Sequence, residues 1–275
     1  MVLKAHLNEQ PPGVREALLR FLPKSEQTYL AELPDIQENK TSLFSPLEKV
    51  HWSWFLPTLK AFSEREQLLF LSVLDPHARE QLRASLSLKG NAEELTEMAK
   101  AFLREQLLHS LVGLESQILP IEYLPDSSLN RLLNLTKKEL IRLIDFLALY
   151  DLAYEVRQIV ETKILKKIYS LLSEEQKNLL RQITIYKESN ALPRLGIEKW
   201  EGAEESLKIM LHRRGLTRLS LALAGQDHDL TWMICHQLDI GRGGTLFKLC
   251  AREKKSAAGD AAERQIEELL NLLYE

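Results

Sequence analysis

The side chains most capable of chemistry are cysteines and histidines in the C-terminal third of the chain. Thiolates and imidazoles are the ligands that zinc prefers, and this region supplies them at Cys235, His236, Cys250, His228 and His212. Structural zinc sites take their ligands in closely spaced pairs, whereas Cys235 and His236 are adjacent and point to different sides of a helix. The spacing therefore predicts buried cysteines, with no metal ion and no other cofactor.

A glycine-rich segment, GRGGT at 241–245, is a second candidate because such a loop can present backbone N–H groups to an anion. It lacks the Lys-Ser/Thr pair of a P-loop and does not follow a predicted strand. We therefore predict a flexible turn between two helices, with Thr245 as the cap of the second helix, and no nucleotide site.

Hydrolytic chemistry has little support in the sequence. His51 and Ser53 lie close together, but no G-x-S-x-G elbow and no placed acid accompanies them. Adjacent acidic pairs, such as Glu174-Glu175 and Glu204-Glu205, splay apart on a helix and are typical of solvated faces rather than catalytic dyads. The sequence therefore predicts that the protein is not an enzyme.

The densest aromatic cluster is HWSWF at 51–55. At helical spacing, Trp54 and Phe55 can face the core while Trp52 covers its edge, which is the usual role of aromatic residues in Leu-rich helices. Exposed tryptophans at this density would instead form a binding anchor, so Trp52 is also a candidate protein-binding residue.

Composition limits the function classes. The chain has 275 residues, with 36 Lys and Arg against 39 Asp and Glu and a net charge of -3, which argues against general nucleic-acid binding. The first ten residues contain no apolar run long enough for a signal peptide, and no later run is long enough to cross a bilayer. With only two cysteines, the composition predicts a reduced cytoplasmic protein.

The elements that must position these residues are predicted to be helices. Capping boxes begin at Ser63, Thr136 and Ser173, and Asp75-Pro76 places a cap before a proline at the first helical position. The fold class is therefore all-α, with stacked helical hairpins in two or three blocks. We expect a Pro-rich N-terminal arm with short helices at 1–46, a first helical block at 47–119, a connector around Pro120 and Pro125, and a second block with a C-terminal helix at 126–275.

Two Leu-rich segments, Leu140–Tyr154 and Leu216–Leu230, share residue types at matching offsets. Each has one apolar stripe and reaches an aspartate, Asp151 or Asp227, that is predicted to cap a following helix. A unit of this kind cannot bury its stripe alone, so the pattern favours stacked hairpins that present a surface to other proteins.

Basic residues are concentrated between Lys208 and Lys255, where nine Lys and Arg stand against four Asp and Glu. Arg214 and Arg218 share a helix face, and we expect both to be exposed on a surface that meets an acidic partner or lipid headgroups. A charge-balanced solvated face is an equal alternative. The candidate protein-binding residues are Arg213, Arg214, Arg218, Arg242 and Lys248, and the same set would serve an alternative function as a nucleic-acid or anion-binding module.

Two segments resemble the SctK family of bacterial type III secretion systems, whose members are cytoplasmic adaptors of the sorting platform. The matching residues are Leu132 to Leu135 leading into Leu140 to Ile144, and Met210 to Leu216 leading to Leu223, Trp232 and Leu238. The 51–55 segment looks like the chlamydial branch of that family. The helical hairpin pattern is also similar to the flagellar switch protein FliG, although the last helix, with Glu263, Arg264, Glu267 and Glu268, departs from the mixed-charge track expected there.

The SctK resemblance implies a non-enzymatic adaptor that links an SctD-like inner-membrane ring protein to SctQ-like pods. An SctL-like stalk protein is a further candidate partner. The resemblance implies no catalytic residue and no nucleic-acid ligand. It places the protein in the cytoplasm, recruited through its partners to the cytoplasmic face of the inner membrane.

Overall fold

The structure is a computed structural model that describes residues 10–32, 46–90, 95–113, 118–185 and 192–274, together with residues 4, 7 and 8. Helices joined by short turns make up these residues, and no strand occurs among them, so the all-α prediction is confirmed. Within the same residues, no helix is both long and apolar enough to span a membrane.

The α-helices of the N-terminal half are α1 Pro12–Leu19, α2 Lys24–Glu32, α3 Leu56–Leu59, α4 Glu64–Leu71, α5 Pro76–Leu86 and α6 Glu97–Val112. Those of the C-terminal half are α7 Lys137–Val156, α8 Thr162–Leu171, α9 Glu174–Ile185, α10 Glu204–Leu223, α11 His228–Gln237, α12 Ile240–Cys250 and α13 Ala257–Tyr274. Segments of 3-10 helix occupy Pro46–Lys49, Trp52–Phe55, Ile121–Tyr123, Ser128–Asn134 and Ile197–Lys199.

Helix starts follow the capping signals of the sequence. The capping boxes predicted at Ser63 and Thr136 form with both of their reciprocal hydrogen bonds. The capping box predicted at Ser173 also forms, with Gln176 as its partner. Asp75 caps α5 through the N–H of Ala78. These bonds satisfy backbone donors that the first turn of a helix leaves unpaired. A four-residue sequence pattern therefore locates the start of a helix well.

Three helix corners in the N-terminal half share a hydrogen-bond pattern that was not predicted from the sequence. At each corner a long polar side chain of the second helix donates to carbonyls 8 and 5 residues earlier, at the end of the first helix. The donors are Gln27, Gln67 and Arg79. These bonds satisfy terminal carbonyls and fix the angle at which consecutive helices meet.

The first matched Leu-rich segment lies within α7, whereas the second begins in α10, crosses the turn after Leu223 and ends in α11. Helices α7 and α10 pack side by side and run in the same direction, as the pairs Asp145–His212 and Asp151–Arg218 show. Their contact is close at Gly215, where an added Cβ would lie 1.8 Å from the carbonyl oxygen of Ile144. Asp227 caps α11 as predicted. The prediction that Asp151 caps a helix is wrong, because α7 continues through it to Val156 and its buried carboxylate faces α10.

The helix predicted to begin near Thr245 begins earlier than expected. The glycine-rich segment 241–245 is not a flexible turn, because it forms the first turns of α12 with Asp239 as the cap. Gly243 is required by close packing, since an added Cβ would lie 2.1 Å from the carbonyl oxygen of Cys235 and 2.8 Å from the Trp54 ring. Tertiary contact therefore overrides the low helix propensity of glycine here.

Buried apolar side chains from residue 47 to residue 270 form one hydrophobic cluster. It includes members of both predicted helical blocks, such as Phe55 and Leu82 from the first and Leu140 and Ile266 from the second. No described residue of the N-terminal arm belongs to this cluster. Leu7 and Leu30 of the arm are buried outside this cluster.

Candidate protein-binding groove

An open groove of about 470 Å³ lies between the N-terminal half of α10, the start of α12, the α8–α9 corner and one face of α7. Its apolar lining comes from Ile141, Leu171, Leu172, Leu207, Ile209, Leu211 and Leu216. Charged side chains border it from Glu204 and Glu205 at the start of α10 to Arg213 in the middle of that helix. The groove thus combines an apolar interior with a polar rim, as protein interfaces do.

Asp145, His212 and Arg242 form a hydrogen-bonded row along the groove. His212 Nδ1 lies 2.7 Å from Asp145 Oδ1, and Arg242 Nε donates to His212 Nε2 over 3.2 Å. Because the guanidinium can only donate, Nε2 must be the unprotonated nitrogen and Nδ1 carries the proton toward Asp145. The row orients the Arg242 side chain, which also donates to Asp239 Oδ2 at 2.6 Å.

The polar row continues from Asp239 to the aromatic segment of the first block. Lys137 Nζ lies 3.4 Å from Asp239 Oδ2 and 2.9 Å from His51 Nε2, and His51 Nδ1 lies 2.9 Å from Ser53 Oγ. Burial, aided by the charge of Lys137, lowers the pKa of His51 to about 4. Burial would raise the pKa of Asp239, but hydrogen bonds from Arg242 and the nearby positive charges outweigh it, so that pKa falls to about 2.

The groove does not assemble a hydrolytic site from the residues described. Arg242 already occupies the Nε2 lone pair of His212, which a general base would need to use. Thr245 is the one hydroxyl among the described lining residues, and it donates to the carbonyl of Gly241 in its own helix. The row is therefore suited to holding charges in place at a surface.

The C-terminal cysteines and histidines do not converge on one point. Cys235 is buried and Cys250 half-buried, both as free thiols. Hydrogen bonding to Cys250, together with burial, raises the pKa of Cys235, so it stays a thiol at neutral pH. In the part of the chain that the structure describes, no three His, Cys, Asp or Glu side chains are arranged to hold a metal ion.

The predicted exposed face of Arg214 and Arg218 is wrong. Arg218 is only 7 % exposed, and its guanidinium donates to both carboxylate oxygens of Asp151, at 2.6 and 3.1 Å, as well as to Gln265. Arg214 lies 3.8 Å from the same carboxylate and donates to the carbonyl of Pro193 at 2.7 Å. The two arginines do share a helix face, but that face is turned toward α7.

The remaining basic candidates differ in exposure. Arg213 and Lys248 are exposed, whereas Arg242 is half-buried and ion-paired with Asp239. Only part of the predicted basic set is therefore free to meet a phosphate backbone, which weakens the nucleic-acid alternative.

The aromatic segment packs much as predicted. Phe55 is fully buried, and Trp54 donates from Nε1 to the carbonyl of Leu238 at 2.9 Å. Trp52 lies at the edge of the core, partly buried, with its ring 5.1 Å from that of His51. The Trp54 and Trp232 rings also flank the buried His236 ring, with centroids 4.1 and 3.9 Å away. This segment joins the first block to α11 and α12.

A second candidate surface lies on the N-terminal arm. Short helices predicted for this arm are present as α1 and α2. Val14, Leu18 and Phe21 follow one another at helical spacing and are all exposed, Phe21 by 86 %. Tyr29 on α2 is also exposed. This stripe was not predicted, because an apolar stripe in a sequence does not reveal whether the fold covers it.

The groove and the arm stripe, defined as Val14, Leu18 and Phe21, are the two surfaces on which a functional interpretation can rest. Both are apolar in part and accessible, and large accessible apolar patches commonly mark sites of association. No family model matches this chain, and searches of curated proteins and of solved structures find no match either.

Proposed function

We propose that this chain is a non-enzymatic helical adaptor that binds other proteins through the arm stripe and the groove. The observation that carries the proposal is the arm stripe, whose Phe21 ring is almost fully in water although the chain has a large hydrophobic cluster elsewhere. Each buried Å² of such surface contributes about 25 cal/mol, so covering a Phe and a Leu on binding is strongly favourable. Aromatic side chains of this kind are frequent binding anchors.

The groove supports the same interpretation by a different argument. Its interior is apolar, while hydrogen-bonded ion pairs such as Asp145 with His212 and Arg242 with Asp239 hold the surrounding charges in fixed positions. Fixed charges around an apolar centre give an interface orientation and specificity at little ordering cost. The surface can therefore select among partners.

The resemblance to SctK supplies the partner classes. We assign the protein to the cytoplasmic sorting platform of a type III secretion system, where it links an SctD-like ring protein to SctQ-like pods, with an SctL-like stalk protein as a further contact. Recruitment to the inner membrane then occurs through these partners. Two separated binding surfaces are what such a link requires, and the arm stripe and the groove lie on different parts of the chain.

The test uses purified full-length chain and SctD-like and SctQ-like proteins from the same genome. We expect direct binding to at least one of them, and Phe21→Asp should abolish it because the charge is placed in the centre of the apolar contact. Val160→Asp is the matched control, since Val160 is 96 % exposed and lies outside both surfaces.

Failure of the wild-type chain to bind either protein, under conditions where other platform pairs bind, contradicts the assignment to a secretion platform. Equal loss of binding in Phe21→Asp and Val160→Asp contradicts the role of the arm stripe. Circular dichroism melting of both variants serves as the folding control.

A further inference from the structure

The exposed face of the N-terminal half of α10 has a symmetric arrangement of charge. Glu205, Ile209 and Arg213 are four residues apart and lie along one side of the helix. Ile209 is 46 % exposed, and both charged residues are exposed. A negative and a positive charge therefore stand at equal distances of about 6 Å along the axis on either side of an apolar centre.

These two charged side chains differ from most others around the groove because neither forms an ion pair or a side-chain hydrogen bond with another described residue, although the Glu205 charge adds to that of Glu204 in raising the pKa of Lys208. Lys208 pairs with Glu204 at 2.6 Å, His212 with Asp145 and Arg242 with Asp239. Among the described residues, neither the Glu205 nor the Arg213 side chain takes part in an ion pair of this kind. The α10 stripe, defined as Glu205, Ile209 and Arg213, is thus open to an external partner.

We propose that the α10 stripe binds the α10 stripe of a second copy of this chain, with the two helices antiparallel and a two-fold axis passing at Ile209. Reversing the helix places Glu205 of each copy against Arg213 of the other, and Ile209 against Ile209. A two-fold contact is made by the same patch on both copies, so the patch must be complementary to itself. The stripe meets this requirement because its charge sign inverts about its centre.

The charge pattern excludes the competing orientation. A parallel pair of α10 helices would set Glu205 against Glu205 and Arg213 against Arg213, and like charges facing each other across an interface oppose association strongly. A nucleic acid is also disfavoured, because Glu204, Glu205 and Asp145 border the same groove. Complementarity to itself is what favours a second copy over an unrelated partner.

The groove beside the stripe has room for the opposing side chain. Its wall on α12 is formed by Gly241, Arg242 and Thr245, and the space around Gly241 is restricted only by Asp239 at 3.4 Å. Gly241 and Thr245 are small and allow a close approach, so the α10 helices of two copies can lie near each other with the Ile209 pair beside both apolar grooves. This inference rests on the proposed function because it treats the groove as a protein-binding surface. It names a second copy of the chain as the protein that binds there. The resulting dimer would carry two arms, so the two arm stripes would supply the two separated partner-binding surfaces while the grooves meet each other.

Sedimentation equilibrium of the full chain over a range of concentrations tests the dimer. Arg213→Glu and Glu205→Arg each bring like charges together, and each should weaken the dimer by at least about tenfold. With both substitutions combined, position 205 is positive and position 213 negative, so opposite charges again face each other across the contact. The dissociation constant should return to within about threefold of wild type. Arg252→Glu is the control, because Arg252 is exposed but lies beyond the groove, and it should leave the dimer unchanged.

A wild-type chain that remains monomeric at every concentration overturns this inference, and so does a double variant as weak as the single ones. Binding of the platform proteins is measured in parallel with the same samples. A monomeric wild type that binds them through Phe21 leaves the proposed function standing without the dimer. A dimer with the expected charge dependence that binds none of them supports the inference and contradicts the proposed platform role.

Discussion

The two halves of α10 use the same residue types for opposite purposes. In the C-terminal half, Arg218 is buried and its charge is matched by Asp151 from α7. In the N-terminal half, Arg213 is exposed on a stripe with Glu205 and Ile209. The difference shows that an arginine on an amphipathic helix becomes structural or available for binding according to whether a neighbouring helix supplies a carboxylate to it.

The buried half of α10 should be the more sensitive to substitution. Arg218→Met leaves the buried carboxylate of Asp151 without its principal partner, with Arg214 3.8 Å away as a weak substitute. We expect the free energy of unfolding to fall by about 3–5 kcal/mol, as when one member of a buried ion pair is removed. Urea unfolding measures this. Arg213→Met, in the exposed half, should change the free energy by no more than about 0.5 kcal/mol, and a similar cost at both positions would remove the distinction.

Close packing of α10 on α7 at Gly215 can be compared with the open position of Gly244 on α12. Gly215→Ala adds a methyl group 1.8 Å from the Ile144 carbonyl oxygen, so α10 must move away from α7. We expect a loss of about 3 kcal/mol, at the upper end of the usual cost of overpacking. Gly244→Ala is the control, since nothing lies within 4 Å of the added atom. It should stabilise α12 by about 0.5–1 kcal/mol, and thermal unfolding of both variants gives the signs directly.

The junction of the first block with α11 and α12 should make stability depend on pH. Burial lowers the pKa of His51 and of His236 to about 4, while both would titrate near 6.5 in the unfolded chain. Between these values the unfolded chain binds protons that the folded chain does not, so stability is complete above about pH 6.5 and falls as the pH approaches 4.

We expect the loss between pH 7 and pH 4 to be about 1–3 kcal/mol, because His51 is only half-buried and its contribution is reduced by solvent. Urea unfolding at several pH values measures the slope. His236→Gln should lower stability at pH 7 and flatten the slope over this range. An unchanged slope in the variant would mean that His236 does not resist protonation in the folded protein.

The smallest effects on stability are expected at the two proposed binding surfaces. Phe21→Asp and Arg213→Glu should each shift the free energy of unfolding by no more than about 0.5 kcal/mol, because both side chains already contact water. Their effects should appear instead in binding. A large loss of stability in either variant would indicate that the residue packs within the chain.

Local signals in the sequence predicted the helices well where a few neighbouring residues determine the outcome. Thr136 and Asp227 were identified as caps, because capping depends on hydrogen bonds within one turn. The all-α class followed from repeated signals of this kind. The extent of α7 through Asp151 was missed, because an aspartate inside a helix is stabilised there by Arg218, which is 67 residues away along the chain.

The candidate sites were harder to predict for the same reason. The helical state of the 241–245 segment depends on Gly243 packing against Cys235 and Trp54, which no local pattern reveals. Arg214 and Arg218 were expected on the surface because spacing predicts a shared face but not the direction in which it points. The groove and the arm stripe depend on which apolar side chains remain uncovered after packing, a property of the whole fold.

The claim that the exposed half of α10 binds another copy is tested most directly by a single cysteine at its centre. In the proposed dimer Ile209→Cys places two thiols against each other at the two-fold axis, where a disulfide can join them if the two helices pack closely. Mild oxidation should then give a covalent dimer that persists after dilution and is absent from the wild type, whose Cys235 and Cys250 serve as the background. Phe247→Cys, at an exposed position on α12, should give little covalent dimer. Equal cross-linking at both positions, or none at 209, would contradict the account.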